Sequence, residues 1–139
     1  MRHRIGEHHL KNPRILLLID AIGAFLTFLF TACLLAPSWI PTGLPTTTVA
    51  ALAVAALGLF LTSLSGFCAL TGLRQRLRLV AVLNSLYCIV TVGLCVYYCM
   101  TLTIWGAIYF AIEVPVVLVL ASIEWRTANW AAAKHEVGQ

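Results

Sequence analysis

Two carboxylic acids interrupt stretches of sequence that are otherwise apolar: Asp20 breaks the run ILLLIDAIGAF and Glu113 breaks IYFAIEVPVVL. On insertion scales an acid near the centre of a membrane helix costs about 2.5 to 3.5 kcal/mol, whereas each Leu, Ile, Phe or Val gains about 0.3 to 0.6. Residues 15–36 hold thirteen such apolar residues and residues 102–123 hold twelve, so both stretches insert despite their acid. An acid kept there should face protein or water rather than lipid. The chemistry open to it is proton or cation binding, because a carboxyl group in low dielectric is readily held neutral until water or a partner stabilises its charge. The competing reading makes each acid a hydrogen-bonded packing residue that fixes helix register, with Tyr and Thr as partners.

The elements that must position these acids follow from composition. The chain has 139 residues, 61% hydrophobic and 10% charged, with a mean hydropathy of +0.95. Soluble domains carry about a quarter charged residues, so a soluble globular monomer is excluded. Four apolar blocks, at residues 15–36, about 48–73, 79–100 and 102–123, each reach the roughly 20 residues that cross a hydrocarbon core. Lipid offers the backbone no hydrogen-bond partners, so blocks of this length are helices. The expected fold is all-α, an antiparallel four-helix transmembrane bundle. It is flanked by a basic tail (residues 1–14) and by a C-terminal helix and tail (residues 124–139) that continues the fourth span or lies on the membrane surface.

Orientation rests on the nine Lys and Arg. Arg2, Arg4, Lys11 and Arg14 lie in the N-terminal tail, Arg74, Arg76 and Arg78 in the middle loop, and Arg126 and Lys134 after the fourth block. The loops near residues 37–47 and 100–102 carry none, which places both termini and the middle loop in the cytoplasm. Trp39, Tyr97, Tyr98 and Trp105 then mark the outer interface, Trp125 and Trp130 the inner one. Pro37, Pro41, Gly43 and Pro45 make the first external loop a stiff, extended connector. Arg74, Arg76, Arg78 and Trp125 are the residues expected to meet lipid headgroups.

With a rise of 1.5 Å per residue, Asp20 and Asn84 both fall roughly 8 Å inside the cytoplasmic boundary, where they can hydrogen-bond. Glu113 falls roughly 16 Å deep by the same count, level with Thr27, Thr62 and the turn from Tyr87 to Thr91. Steps of three and four residues gather these groups into stripes: Asp20, Gly23 or Ala24, Thr27 and Thr31; Gly58, Thr62, Ser65 or Gly66 and Ala69; Asn84, Tyr87 or Cys88, Thr91, Cys95 and Tyr98; Gly106, Tyr109 and Glu113. The expected proton or solute site is therefore Asp20, Asn84, Glu113, Tyr87, Thr91, Thr27, Thr62 and Tyr109. Pro115 cannot donate to the Ala111 carbonyl, which should leave a bend and a bare acceptor within one turn of Glu113.

Other residue groups are weaker leads. The five cysteines form no Cys-x-x-Cys, and Cys95 and Cys99, one helical turn apart, are poorly placed for a disulfide; they read as buried small hydrophobes. Glu7, His3, His8 and His9 could suit zinc or copper, yet nothing in a short basic tail fixes their geometry, and no metal or other cofactor is expected. Phe30-Thr31-Ala32-Cys33 approaches a lipoprotein cleavage motif, against which stand Asp20 inside the apolar run and Phe at the motif's first position. No catalytic constellation is present, so no enzyme activity is expected, a lipid- or quinone-modifying enzyme being the remote alternative.

Through its size, its four spans and the runs Ile19-Asp20-Ala21-Ile22-Gly23-Ala24, Asn84 through Tyr87-Cys88 and Tyr109-Phe110 through Glu113, the chain resembles small uncharacterised bacterial integral membrane proteins. That resemblance implies a multi-pass protein of the bacterial inner membrane and carries no activity with it. In size and span number the chain is also similar to small multidrug transporters, whose single membrane glutamate lies in the first helix; here that helix has Asp20 and the midplane Glu113 is in the fourth. The expected partners are the lipid bilayer and either a second copy of the chain or another membrane protein, with no nucleic acid. Two roles follow: an accessory or scaffold protein acting through helix packing, slightly preferred, and a small proton-coupled transporter of an apolar or cationic solute using Glu113 with Asp20.

Overall fold

The computed structural model describes residues 12–35 and 39–136, and the side chains of 34, 35 and 130–136 lie outside the description. The histidines, Arg2, Arg4 and Lys11 of the N-terminal tail, Pro37, and the side chains of Trp130 and Lys134 thus fall outside it. The described residues form α1 (Pro13–Phe30) with a π-helical turn (Thr31–Leu35), α2 (Thr46–Cys68), α3 (Leu73–Tyr97) and α4 (Ile104–Glu136). All four are long and apolar enough to cross a membrane. Pro13 opens α1, where its fixed φ suits a first turn and its missing N–H is no loss.

Two boundaries of the expected spans move and one disappears. The second helix ends at Cys68 rather than 73, because Gly72 takes a φ of 71° and turns the chain into α3, which starts at Leu73 rather than 79. The arginines 74, 76 and 78 therefore ride on the first turns of α3 instead of a loop. The fourth helix runs 33 residues, about 50 Å, unbroken through Pro115 and past residue 123, so there is no separate C-terminal helix. What continues it is an inward stripe at steps of three and four residues: Glu113, the half-buried Val117, Ala121, Glu124 and Ala128.

The helices pack as two hairpins, α1 on α2 and α3 on α4, joined mainly along α2 and α3; α1 touches α4 and α3 only lightly. Two apolar clusters close the ends of the bundle. Leu16, Leu17, Leu77, Val80 and Ala128 fill the end nearer the arginines, and Leu44, Val49, Leu52, Leu59, Tyr87 and Phe110 fill the half nearer the prolines. Pro41 to Leu44 form a clasp on the start of α4 rather than a bare connector. Thr103 donates its backbone N–H to the Thr42 carbonyl at 3.0 Å and its hydroxyl to the Pro41 carbonyl, while Thr103 Oγ1 caps the helix by accepting from the Gly106 N–H at 3.2 Å. Gly106 lets α4 approach the Thr42 backbone, and Gly43, with φ of 84°, would drive a Cβ into the Thr101 carbonyl.

Candidate functional site: a lateral cavity floored by carboxylic acids

Between the two apolar clusters lies a polar layer to which every helix contributes. Asp20 on α1 accepts a hydrogen bond from Ser63 Oγ on α2 at Oδ2 and one from Asn84 Nδ2 on α3 at Oδ1, 2.7 Å long. The same Asn84 nitrogen donates to Glu124 Oε2 on α4 at 3.3 Å. One amide thus bridges two carboxyl groups. Asp20, Ser63, Asn84 and Glu124 are all buried, Ser63 and Glu124 completely, and Glu124 Oε1 has no hydrogen-bond partner.

Farther toward the proline end, Glu113 Oε1 accepts from the Tyr87 hydroxyl at 2.9 Å, and Glu113 Oε2 is buried without a partner. The Tyr109 hydroxyl pairs with Thr31 Oγ1 at 3.1 Å, at the start of the π turn of α1. Thr91, fully buried, stands one turn beyond Tyr87 on α3. Cys88, between them, directs its Sγ to the Val114 carbonyl at 3.7 Å, next to Pro115.

A cavity of about 300 Å³ connects the two groups of acids. Asp20, Asn84, Tyr87, Tyr109 and Glu113 are its polar lining, with Ala56 and Leu59 behind them. Its remaining walls belong to α1 and α4, which touch each other only lightly: Gly23, Ala24, Leu26, Thr27 and Phe30 face Ile112, Val116, Val117 and Leu120. Leu26, Phe30, Ile112 and Val116 are 48 to 63% exposed, so the mouth of the cavity is apolar and looks sideways out of the bundle. Among the described residues no basic side chain lines it.

The structure thus brings together Asp20, Asn84, Tyr87, Tyr109 and Glu113, with Thr27 on the cavity wall, whereas two expected members, Thr62 and Thr91, do not line it. Thr62 turns its hydroxyl back to the Gly58 carbonyl at 2.8 Å and lines a separate groove between α2 and α3. The buried face of α2 is Val49, Leu52, Ala53, Ala56, Leu59, Ser63 and Gly66, one residue out of phase with the expected stripe, so Ser63 rather than Thr62 meets Asp20.

Glu124 is the residue that reading by blocks passes over. It follows the apolar run by one position and precedes Trp125 and Arg126, so it looks like the start of a surface segment. Its signal was the helical step, since Glu113, Val117, Leu120 and Glu124 continue the stripe that Tyr109 and Glu113 begin. The expected headgroup residues also divide. Arg74 and Arg76 are exposed, whereas Arg78 is half-buried, bonds Asn129 Oδ1 at 2.9 Å and lies over the Trp125 ring at 5.9 Å, so Arg78 and Trp125 engage each other.

All five cysteines are free thiols, and among the described residues no group of three His, Cys, Asp or Glu is placed to hold a metal ion. Comparison with protein-family models, with curated proteins and with solved structures finds no match.

Proposed function

We propose that the protein is a small proton-linked carrier in a membrane, and that Glu113, Asp20 and Glu124 are the groups that handle the proton. The observation that carries this reading is the cavity: two carboxyl groups on its floor, a third behind Asn84, and, among the described residues, no basic side chain in its lining. Acids inside a membrane helix that only fix register are expected to find a neutralising or fully bonded environment. Glu113 instead keeps a buried oxygen without a partner beside open space.

The apolar mouth between α1 and α4 favours a solute that partitions into lipid, and the acidic floor favours a neutral or cationic one over an anion. Arg14, Arg74, Arg76, Arg78 and Arg126 lie toward one end of the bundle and residues 37–47 and 100–102 carry no Lys or Arg, which by the positive-inside rule favours an arrangement with the Asp20 and Glu124 layer toward the cytoplasm of a bacterial inner membrane and Glu113 near the midplane.

The test is proton flux in proteoliposomes loaded with a pH-sensitive dye, across a panel of lipophilic amines and neutral solutes. A solute-dependent flux that Glu113→Gln abolishes supports the carrier. A leak equal to that of empty liposomes for every solute removes it and leaves the accessory role, in which Glu113→Gln is tolerated.

A further inference from the structure

We infer that Asp20 and Glu124 form a single proton-binding unit, bridged by Asn84 and distinct from Glu113, in which Glu124 holds the proton and Asp20 the negative charge. This deepens the reading above by assigning the proton store to the pair and leaving Glu113 as the group that meets the solute.

The asymmetry of the hydrogen bonds carries the assignment. Asp20 receives two donors, the Ser63 hydroxyl and the Asn84 amide at 2.7 Å, which is what a charged carboxylate requires. Glu124 receives one longer bond of 3.3 Å and has no donor at Oε1 in a completely buried side chain, the environment of a neutral acid whose hydroxyl hydrogen the adjoining Asp20 carboxylate accepts. Two charged carboxylates at one amide would repel in a low dielectric, and sharing one proton relieves that.

The groups packed round the pair supply no counter-charge. From α2 comes Ser63 and from α3 Asn84. The basic residue of α3 nearest in sequence, Arg78, commits its Nη2 to Asn129 and its plane to Trp125, while Arg14 on α1 donates to the Ala69 carbonyl at 3.4 Å.

Access is one-sided. Leu16, Leu17, Leu77, Val80 and Ala128 plug the arginine end, whereas Asp20 lines the cavity and Glu124 does not. The proton therefore leaves Glu124 by transfer to Asp20, whose carboxylate accepts it, and passes from Asp20 to water or solute in the cavity. Both carboxyl groups are then anions, and their mutual repulsion drives a proton back by the same route.

Infrared spectroscopy of the protein in lipid at neutral pH tests this directly, because a protonated carboxyl has a C=O stretch that an ionised one lacks. Asp20 is the only aspartate in the chain, so aspartate labelled with 13C at its side-chain carboxyl reports on it alone. The expected result, read in a Glu113→Gln background so that Glu113 adds no band of its own, is a protonated-carboxyl band that shifts with 13C-glutamate, not with 13C-aspartate, and is lost on adding Glu124→Gln. In that background a band that shifts with 13C-aspartate, or that survives Glu124→Gln, overturns the inference. The isotope arm needs no substitution at Glu124 and stands even if Glu124→Gln fails to fold. If the band behaves as expected while proteoliposomes show no flux, carriage fails and the proton-binding pair remains.

Discussion

Replacing Asn84 by Ala removes the bridge between the two acids and leaves their oxygens to find other donors. Both its bonds, 2.7 Å to Asp20 and 3.3 Å to Glu124, are lost at once. Hydrogen bonds between transmembrane helices average about 0.6 kcal/mol and reach about 1.7, because the unfolded chain in lipid also finds partners. The bond to Asp20 is buried with a charged acceptor, a class that contributes about 1.5 to 3 kcal/mol in general, so it belongs at the upper end. Together the two bonds make Asn84→Ala cost about 2 to 3 kcal/mol. Ser85→Ala, next in sequence, removes a hydroxyl that bonds only to the Ala81 carbonyl of its own helix at 2.8 Å and should cost under about 0.5 kcal/mol. Reversible unfolding in mixed micelles measures both. A double-mutant cycle of Asn84→Ala with Asp20→Asn then isolates the pair, with about 1 to 2 kcal/mol of coupling expected. An Asn84→Ala protein within about 0.5 kcal/mol of wild type, or a cycle with no coupling, refutes the reasoning that this layer is a connected network.

Further outcomes follow from the same geometry. Ser63→Ala should destabilise by about 1 to 2 kcal/mol while Thr62→Ala changes stability by under about 0.5, since only Ser63 leaves a buried carboxylate oxygen short of a donor; the same unfolding assay ranks them. Gly43→Ala, strained at φ of 84° and in collision with the Thr101 carbonyl, should cost about 1 to 3 kcal/mol and loosen the clasp, read as faster amide exchange at Thr103 and Gly106. Cys99 and Cys68 are both exposed and lie at opposite ends of the bundle. In single-cysteine proteins a membrane-impermeant maleimide should label Cys99 in intact cells and Cys68 only after permeabilisation, and the reverse pattern overturns the orientation.

Much of the fold was legible because the bilayer narrows the choices. Four apolar blocks can only be helices, and a rise of 1.5 Å per residue is enough to bring Asp20 level with Asn84 and Glu113 level with Tyr87. The phase of α2 was not legible. Thr62, Ser63 and Ser65 are all small hydroxyl residues within one turn, and only packing against Leu17 and Asp20 decides that Gly66 and Ser63 face inward. Glu124 was hidden by a boundary drawn from hydropathy, whereas helical phase continues for as long as neighbouring helices remain to pack against. The clasp at Gly43 and Gly106 depends on two loops meeting across the bundle end, a long-range contact that no local pattern encodes.

The claim at the centre of this account is that protons move through the acids around the cavity. It is tested most directly by voltage-driven proton uptake into dye-loaded proteoliposomes, with wild type, Glu113→Gln, Glu124→Gln and Thr62→Ala compared side by side in the presence of a lipophilic amine. The account expects uptake in wild type and Thr62→Ala and loss of it in both glutamate variants. Uptake in Glu113→Gln and Glu124→Gln equal to wild type would contradict it.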